Sequence, residues 1–93
     1  MTSMQEALPG GDLIDDGLRD LAGGIESVPA LLVSIGAPRL ARLGLRAPNP
    51  WPSPEMRLYR QLEQQFGDGA HSRYNALVRR LVSFERALAC ASR

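Results

Sequence analysis

Apolar side chains recur at intervals of three or four residues along most of the chain, the spacing of an amphipathic α-helix. In residues 12–22, Ile14, Leu18 and Leu21 follow this spacing, and aspartates occupy the opposite side. Negative charge in the first turns of a helix is favoured by the helix dipole. The glycine pair that follows predicts the end of this first helix.

Two short helices are predicted next, over residues 28–36 and 38–44. Ser27 is a suitable N-cap for the first of them, and Gly36 is a natural stop at its carboxyl end. Pro38 suits the first position of the following helix, because its missing N–H needs no partner there.

A proline-rich connector is predicted over residues 46–53. Prolines occupy every second position from 48 to 54, an arrangement that excludes both a helix and a central strand over the connector. Trp51 is the only tryptophan and lies among these prolines. We expect it to pack over the end of the helices and hold the connector, since an exposed indole forfeits its burial energy. An anchor for a partner is the alternative.

The two best-patterned helices are predicted over residues 54–66 and 70–91. The last has an apolar arc wider than the seam of a coiled-coil dimer, which is typical of a core helix. No stretch alternates as a strand does. The sequence therefore predicts an all-α fold: a small bundle of four to five helices with the connector before the last two. Residues 1–11 are expected to form a flexible tail, and residues 12–93 a single domain.

Composition narrows the class of protein. A chain of 93 residues with 44% apolar side chains and a net charge of +1 can bury one modest core. It contains no apolar run of membrane-spanning length, and its acidic start followed by Pro-Gly-Gly is unlike a signal peptide. A lone cysteine, Cys90, suits a reducing compartment. These features predict a cytoplasmic protein that does not contact membranes.

Signatures of catalysis and metal binding are missing from the sequence. A phosphate-binding P-loop requires a lysine, and the chain has none. A zinc site requires several cysteine and histidine ligands, but only His71 and Cys90 are present. We therefore expect no catalytic residue, no metal and no cofactor.

Charge is distributed unevenly along the chain. Residues 1–27 contain six acidic residues and one arginine, a net of −5, and the remainder has a net of +6. Such asymmetry arises when the two parts pair within a fold, and also when a protein binds an anionic partner. The residues proposed to contact a partner are Arg73, Arg79, Arg80, Glu85, Arg86 and Trp51.

Glu85 is unusual because helical geometry places it within the apolar arc of the last helix. A carboxylate there must be paired, and we expect Arg42, Arg57 or Arg60 to pair with it. A polar group that faces a partner is the alternative.

A DNA-binding interpretation rests on residues 28–46, where two short helices joined at a glycine would resemble a helix-turn-helix. Arg39, Arg42 and Arg46 would then line the second helix and its exit. That helix, however, carries no Asn, Gln, Ser or Thr to contact base edges, and the net charge is small for a phosphate-binding domain.

The sequence thus favours a non-enzymatic helical protein-interaction module, a small regulatory or adaptor protein whose protein partner it does not identify. A small DNA-binding regulator or antitoxin-like protein is the alternative. Because small domains bury only part of their apolar surface, we also expect a homodimer, with one of the last two helices at the interface.

Overall fold

The computed structural model describes residues 8–91, and all regular structure in that range is helical. The elements are α1 (Gly11–Ala22), α2 (Val28–Arg42), α3 (Pro54–Phe66) and α4 (Ala70–Ala91). A 3-10 turn, Gly67–Gly69, follows α3 directly and leads into α4, so that residues 54–91 form one uninterrupted helical segment of the chain with a change of direction at Gly67. The predicted all-α class is confirmed. The predicted count of four to five separate helices is wrong, because the described chain contains three helical segments, the last divided by that turn.

The count differs because the two short helices predicted before the connector are one helix. α2 continues through Gly36 and Pro38 without a turn. Proline inside a helix costs about 3 kcal/mol. Residues on both sides of Pro38 compensate for this cost, since Leu32, Val33 and Leu40 are all fully buried. Tertiary packing has therefore overridden the local signals.

The ends of the first two helices follow their predicted chemistry. Ser27 Oγ accepts a hydrogen bond from the Ala30 N–H at 3.1 Å and donates one to an Asp20 carboxylate oxygen at 2.6 Å. Gly24 and Gly44 have positive φ angles just beyond α1 and α2. Backbone hydrogen bonds across these glycines close both helix ends, as in the Schellman motif.

The core is organised around α2, which packs against α1, α3 and α4. Consecutive α2 residues are buried, and a helix that is apolar on several faces must be covered on all of them. The other helices each contribute one apolar stripe. The largest fully buried side chains are Phe84, Ile14, Leu21, Leu31, Leu32, Leu40, Leu58, Leu62 and Val33.

Glycine permits close approach at two helix crossings. A Cβ atom at Gly17 would overlap the Pro29 carbonyl oxygen and a Val33 methyl group, so α1 lies directly on α2 there. A Cβ atom at Gly36 would lie 2.8 Å from a terminal methyl of Leu81 in α4. Gly36 is therefore a packing residue inside α2 rather than the helix stop that the sequence predicted.

The segments outside the helices also pack on this core. Leu8 contacts the core, and its carbonyl accepts a hydrogen bond from the Gly11 N–H at 2.9 Å. Within the predicted tail, residues 1–11, Leu8 thus packs on the core and Gly11 already belongs to α1. Residues 1–7 lie outside the described residues.

Trp51 holds the connector as expected. Its backbone N–H donates to Ser34 Oγ at 3.0 Å, and its indole Nε1–H donates to the Ile25 carbonyl at 3.2 Å. The half-buried indole packs against the core, and the Arg57 guanidinium lies 5.6 Å from the ring centroid. These contacts join the connector to α2, to the loop before α2 and to α3.

Candidate functional site

The feature with the clearest capacity to bind another molecule is an open apolar groove of about 330 Å³, here called the α3–α4 groove. It lies between the end of α3, the first half of α4 and the start of α2. Its lining consists of Val28, Leu62, Gln65, Phe66, Arg73, Ala76, Leu77 and Arg80.

The turn between α3 and α4 creates this groove. Gly67 has a φ of +54°, a conformation that side chains larger than hydrogen rarely adopt, and it redirects the chain directly after Phe66. α4 then returns alongside α3, so Leu77 comes to lie in the same groove as Leu62. The tyrosines of the two helices meet as well, with ring centroids of Tyr59 and Tyr74 5.7 Å apart.

Phe66 is the large side chain most available at the groove. It is 41% exposed, at the last position of α3. The Arg73 guanidinium lies 3.7 Å from its ring centroid, in cation–π geometry. This contact places a positive charge directly over an exposed aromatic ring.

Arg80 supplies the second charge at the groove. Its guanidinium lies 3.5 Å from a carboxylate oxygen of Asp12 in α1, and both side chains are exposed. Exposed ion pairs of this kind contribute about 0–1 kcal/mol, so Arg80 can exchange Asp12 for another anion at little cost. Through Arg80, α4 is paired with the acidic first helix.

Glu85 belongs to a separate cluster near the other end of α4. It is only 7% exposed, and burial raises the pKa of its carboxyl group, an effect that Arg39 opposes. The Arg39 Nε atom lies 3.8 Å from the carboxylate. The expected partners Arg42, Arg57 and Arg60 are therefore wrong, because the continuation of α2 carries Arg39 over α4 instead.

The other predicted site residues are dispersed. Arg86 lines a small cavity beside Glu85 and Arg39, whereas Arg79 is exposed outside both sites. Trp51 lies at the connector. Arg42 and Arg46 are exposed, and no turn separates two helices around Gly36. The helix-turn-helix geometry predicted for residues 28–46 is therefore absent.

The predicted charges of α4 are thus divided between two places. Arg73 and Arg80 come together at the groove, while Glu85 and Arg86 lie at the second cluster. From the sequence, Phe66 was expected on the apolar face of its helix, which either packs in the core or is offered to a dimer interface. Phe66 immediately precedes a glycine turn and is the last residue of α3, and this position was the sequence signal for its exposure.

Groups suited to acid–base or metal chemistry do not converge at the groove. Between residues 8 and 91, no three His, Cys, Asp or Glu side chains are arranged to hold a metal ion. Within the described part of the chain, the pKa is raised for Glu85 and Tyr74, and both residues lie outside the groove lining. Burial is the main cause of the shift for each, with the Glu55 carboxylate adding to it at Tyr74.

The described helices include none with the length and apolar character needed to cross a bilayer. Comparisons of the chain with protein-family models, with curated proteins and with solved structures give no significant match, so the function proposed below rests on the structure alone.

Proposed function

We propose that this chain is a non-enzymatic protein-interaction module, a small regulatory or adaptor protein, and that the α3–α4 groove is its binding surface. The observation that carries the proposal is Phe66, an aromatic side chain 41% exposed beside an apolar floor and capped by Arg73. A partner that covers this ring regains burial energy that the isolated chain leaves unused. Aromatic residues and arginines are also enriched at protein interfaces.

The polar chemistry of the groove supports binding rather than catalysis. Its polar lining groups are Gln65, Arg73 and Arg80. A guanidinium group stays protonated in proteins and an amide does not titrate, so neither serves as a general base. These groups instead orient and attract a partner. The exposed thiol of Cys90 agrees with a reducing, cytoplasmic location for this module.

The positions of Arg42 and Arg46 in the structure do not favour the DNA-binding alternative, since both are simply exposed. Arg39 is paired with Glu85, and α2 offers no separate recognition helix. We therefore propose a protein partner.

A homodimer remains part of the proposal, with its interface outside the groove. A two-fold axis at the groove would place Arg73 and Arg80 of one protomer against the same cations of the other. The outer side of α3, where Met56 is 57% exposed, avoids this repulsion. Sedimentation equilibrium measures the mass, and a constant mass of one chain at high concentration contradicts the dimer.

Site-specific photocrosslinking in the native host tests the groove as the binding surface. A photoreactive amino acid replaces Ala76, which is exposed within the groove. The matched control places the same amino acid at Ser83, which is exposed two turns further along α4 and outside the groove. We expect one defined adduct from position 76 and none from position 83.

The captured protein is then purified separately and titrated against the wild-type chain and Phe66→Ala. Loss of a large interface side chain weakens binding by about tenfold or more when that residue is an energetic anchor. Equal crosslinking from both positions, or equal affinity of the Phe66→Ala variant, would contradict the proposal.

A further inference from the structure

The shape of the α3–α4 groove indicates which kind of element fits it. Its wall on α4 consists of residues 73, 76, 77 and 80, a single stripe at helical spacing. Seven residues of helix extend about 10 Å, or two turns. A helix laid along such a wall presents apolar side chains at positions i, i+3 or i+4, and i+7. With a volume of about 330 Å³, the groove is at the low end for small-molecule sites but accepts such anchors.

The charges at the groove indicate that the partner surface is negatively charged. Among the described residues that line it, the charged ones are Arg73 and Arg80, and none carries a carboxylate. Arg73 lies over Phe66, and Arg80 forms a solvent-exposed ion pair with Asp12. Carboxylates on the flanks of a docked helix would meet both guanidinium groups while its apolar face covers Phe66.

The helices described for residues 8–91 do not supply such a helix from a second copy of this chain. The most acidic element is α1, but its strongly exposed charged residues are Asp12, Asp16 and Arg19. The apolar side chains of Ile14 and Leu21 are buried against the core. α1 therefore has charge but no free apolar anchor.

We infer that the α3–α4 groove binds an acidic amphipathic α-helix of a different protein. This inference rests on the proposed function and adds the chemistry of the partner to it. The apolar floor supplies affinity, and the two arginines select against basic helices.

Synthetic peptides of about three helical turns test the inference directly. The first carries leucines at i, i+4 and i+7 with glutamates on both flanks, and the second has lysine in place of each glutamate. A third keeps the composition of the first but scrambles the leucine positions. Each is labelled with fluorescein and titrated with the full chain, and binding is followed by fluorescence anisotropy.

We expect the glutamate peptide to bind about tenfold more tightly than the lysine peptide at low salt, with the difference shrinking at high salt. The scrambled peptide should bind more weakly than the first. On the protein, the methyl NMR signals of Val28, Leu62 and Leu77 should shift on binding. Equal affinity for the three peptides, or shifts elsewhere on the protein, would overturn the inference.

Charge-reversal variants give the second measurement. Arg73→Glu/Arg80→Glu should reverse the preference so that the lysine peptide binds more tightly. Arg79→Glu/Arg86→Glu is the matched control, because it makes the same change in net charge on the same helix outside the groove. Preference for the glutamate peptide should persist in this control. If both variants change the preference equally, the effect is one of total charge and the inference is wrong.

Other occupants give distinct results. Concentration-dependent doubling of mass that Arg73→Glu/Arg80→Glu abolishes would show a second copy in the groove, and binding of a labelled DNA duplex with the same NMR shifts would show a nucleic acid. Either result overturns the inference. A last outcome separates the two proposals. If no peptide binds, but crosslinking from position 76 still captures a protein whose affinity Phe66→Ala lowers, the proposed function stands and the acidic-helix inference is wrong.

Discussion

Gly17→Ala is the substitution that most directly tests the packing of α1 on α2. The change adds one methyl group at the closest point between the two helices. That methyl would overlap both the Pro29 carbonyl oxygen and a Val33 methyl group. A terminal side-chain atom can rotate away, but a backbone carbonyl within a helix cannot, so the helices must separate.

The magnitude follows from two opposing effects. Alanine is favoured over glycine inside a helix by about 1 kcal/mol. Overpacking a core contact typically costs about 1–3 kcal/mol, and rigid backbone places Gly17 at or above the upper end of that range. We therefore expect the free energy of unfolding to fall by about 2 kcal/mol. For a domain of this size, that loss lowers the Tm by about 8–16 °C.

Urea denaturation followed by circular dichroism measures this effect. Gly23→Ala is the matched control, since its new Cβ would meet only ordinary contacts of 3.6 Å or more, and its φ is −88°. We expect the control to lie within about 0.5 kcal/mol of wild type, as exposed positions usually do. If Gly17→Ala matches or exceeds the wild-type stability, helix propensity dominates and the close approach of α1 and α2 is refuted.

Three further predictions concern the connector and the buried carboxylate. Ser34→Ala should lower the free energy of unfolding by about 1–2 kcal/mol in urea, because it leaves the Trp51 N–H without its acceptor. A stability equal to wild type would show that water replaces Ser34. Trp51→Ala should lower the free energy of unfolding by about 2 kcal/mol, because it removes a half-buried ring from the core. Trp51→Phe should lower it by only about 1 kcal/mol, because it keeps an aromatic ring there while it removes one of the two fused rings and the exposed hydrogen bond to Ile25; equal losses in thermal melts would contradict the packing role. Burial holds the pKa of Glu85 above its ordinary value of 4.5, so the folded state binds its proton more tightly than the unfolded state does. The contribution of protonated Glu85 to the free energy of unfolding is therefore fully present below pH 4.5, and it is lost as the pH rises through the raised pKa. Glu85→Gln should flatten that fall without destabilising the protein at neutral pH, since Arg39 is 56% exposed and stays hydrated; an unchanged pH profile would contradict it.

Local sequence signals were sufficient wherever one helix face and its ends determine the structure. The spacing of apolar residues and the following glycines located α1 to within one residue of its observed start. The same signals located α3 and the start of α4, because Pro54 and the Gly67–Gly69 turn act on their immediate neighbours. Ser53 precedes α3 but makes no capping hydrogen bond with its side chain. Trp51 could also be assigned to packing, since a large aromatic among prolines has few other ways to be buried.

Local signals failed at Gly36 and Pro38. Glycine usually marks the end of a helix and proline its first turn, yet α2 continues through both residues. The decisive quantity is the burial of Leu32, Val33 and Leu40 by the other helices, and this energy exists only once those helices have assembled. Because α2 is continuous, residues 28–46 do not form two helices of a helix-turn-helix, and Arg39 lies close to Glu85.

The candidate site itself shows where the information in the sequence ends. By itself, the sequence determined that the chain is helical, that α4 carries arginines, and that Phe66 precedes a glycine turn, because these depend on composition and short-range spacing. Only the tertiary structure decided that Arg73 and Arg80 share a groove with Phe66 while Arg79 does not. That division depends on how α4 is rotated against α3 and α2, and a helix rotation is set by close packing between elements distant in sequence.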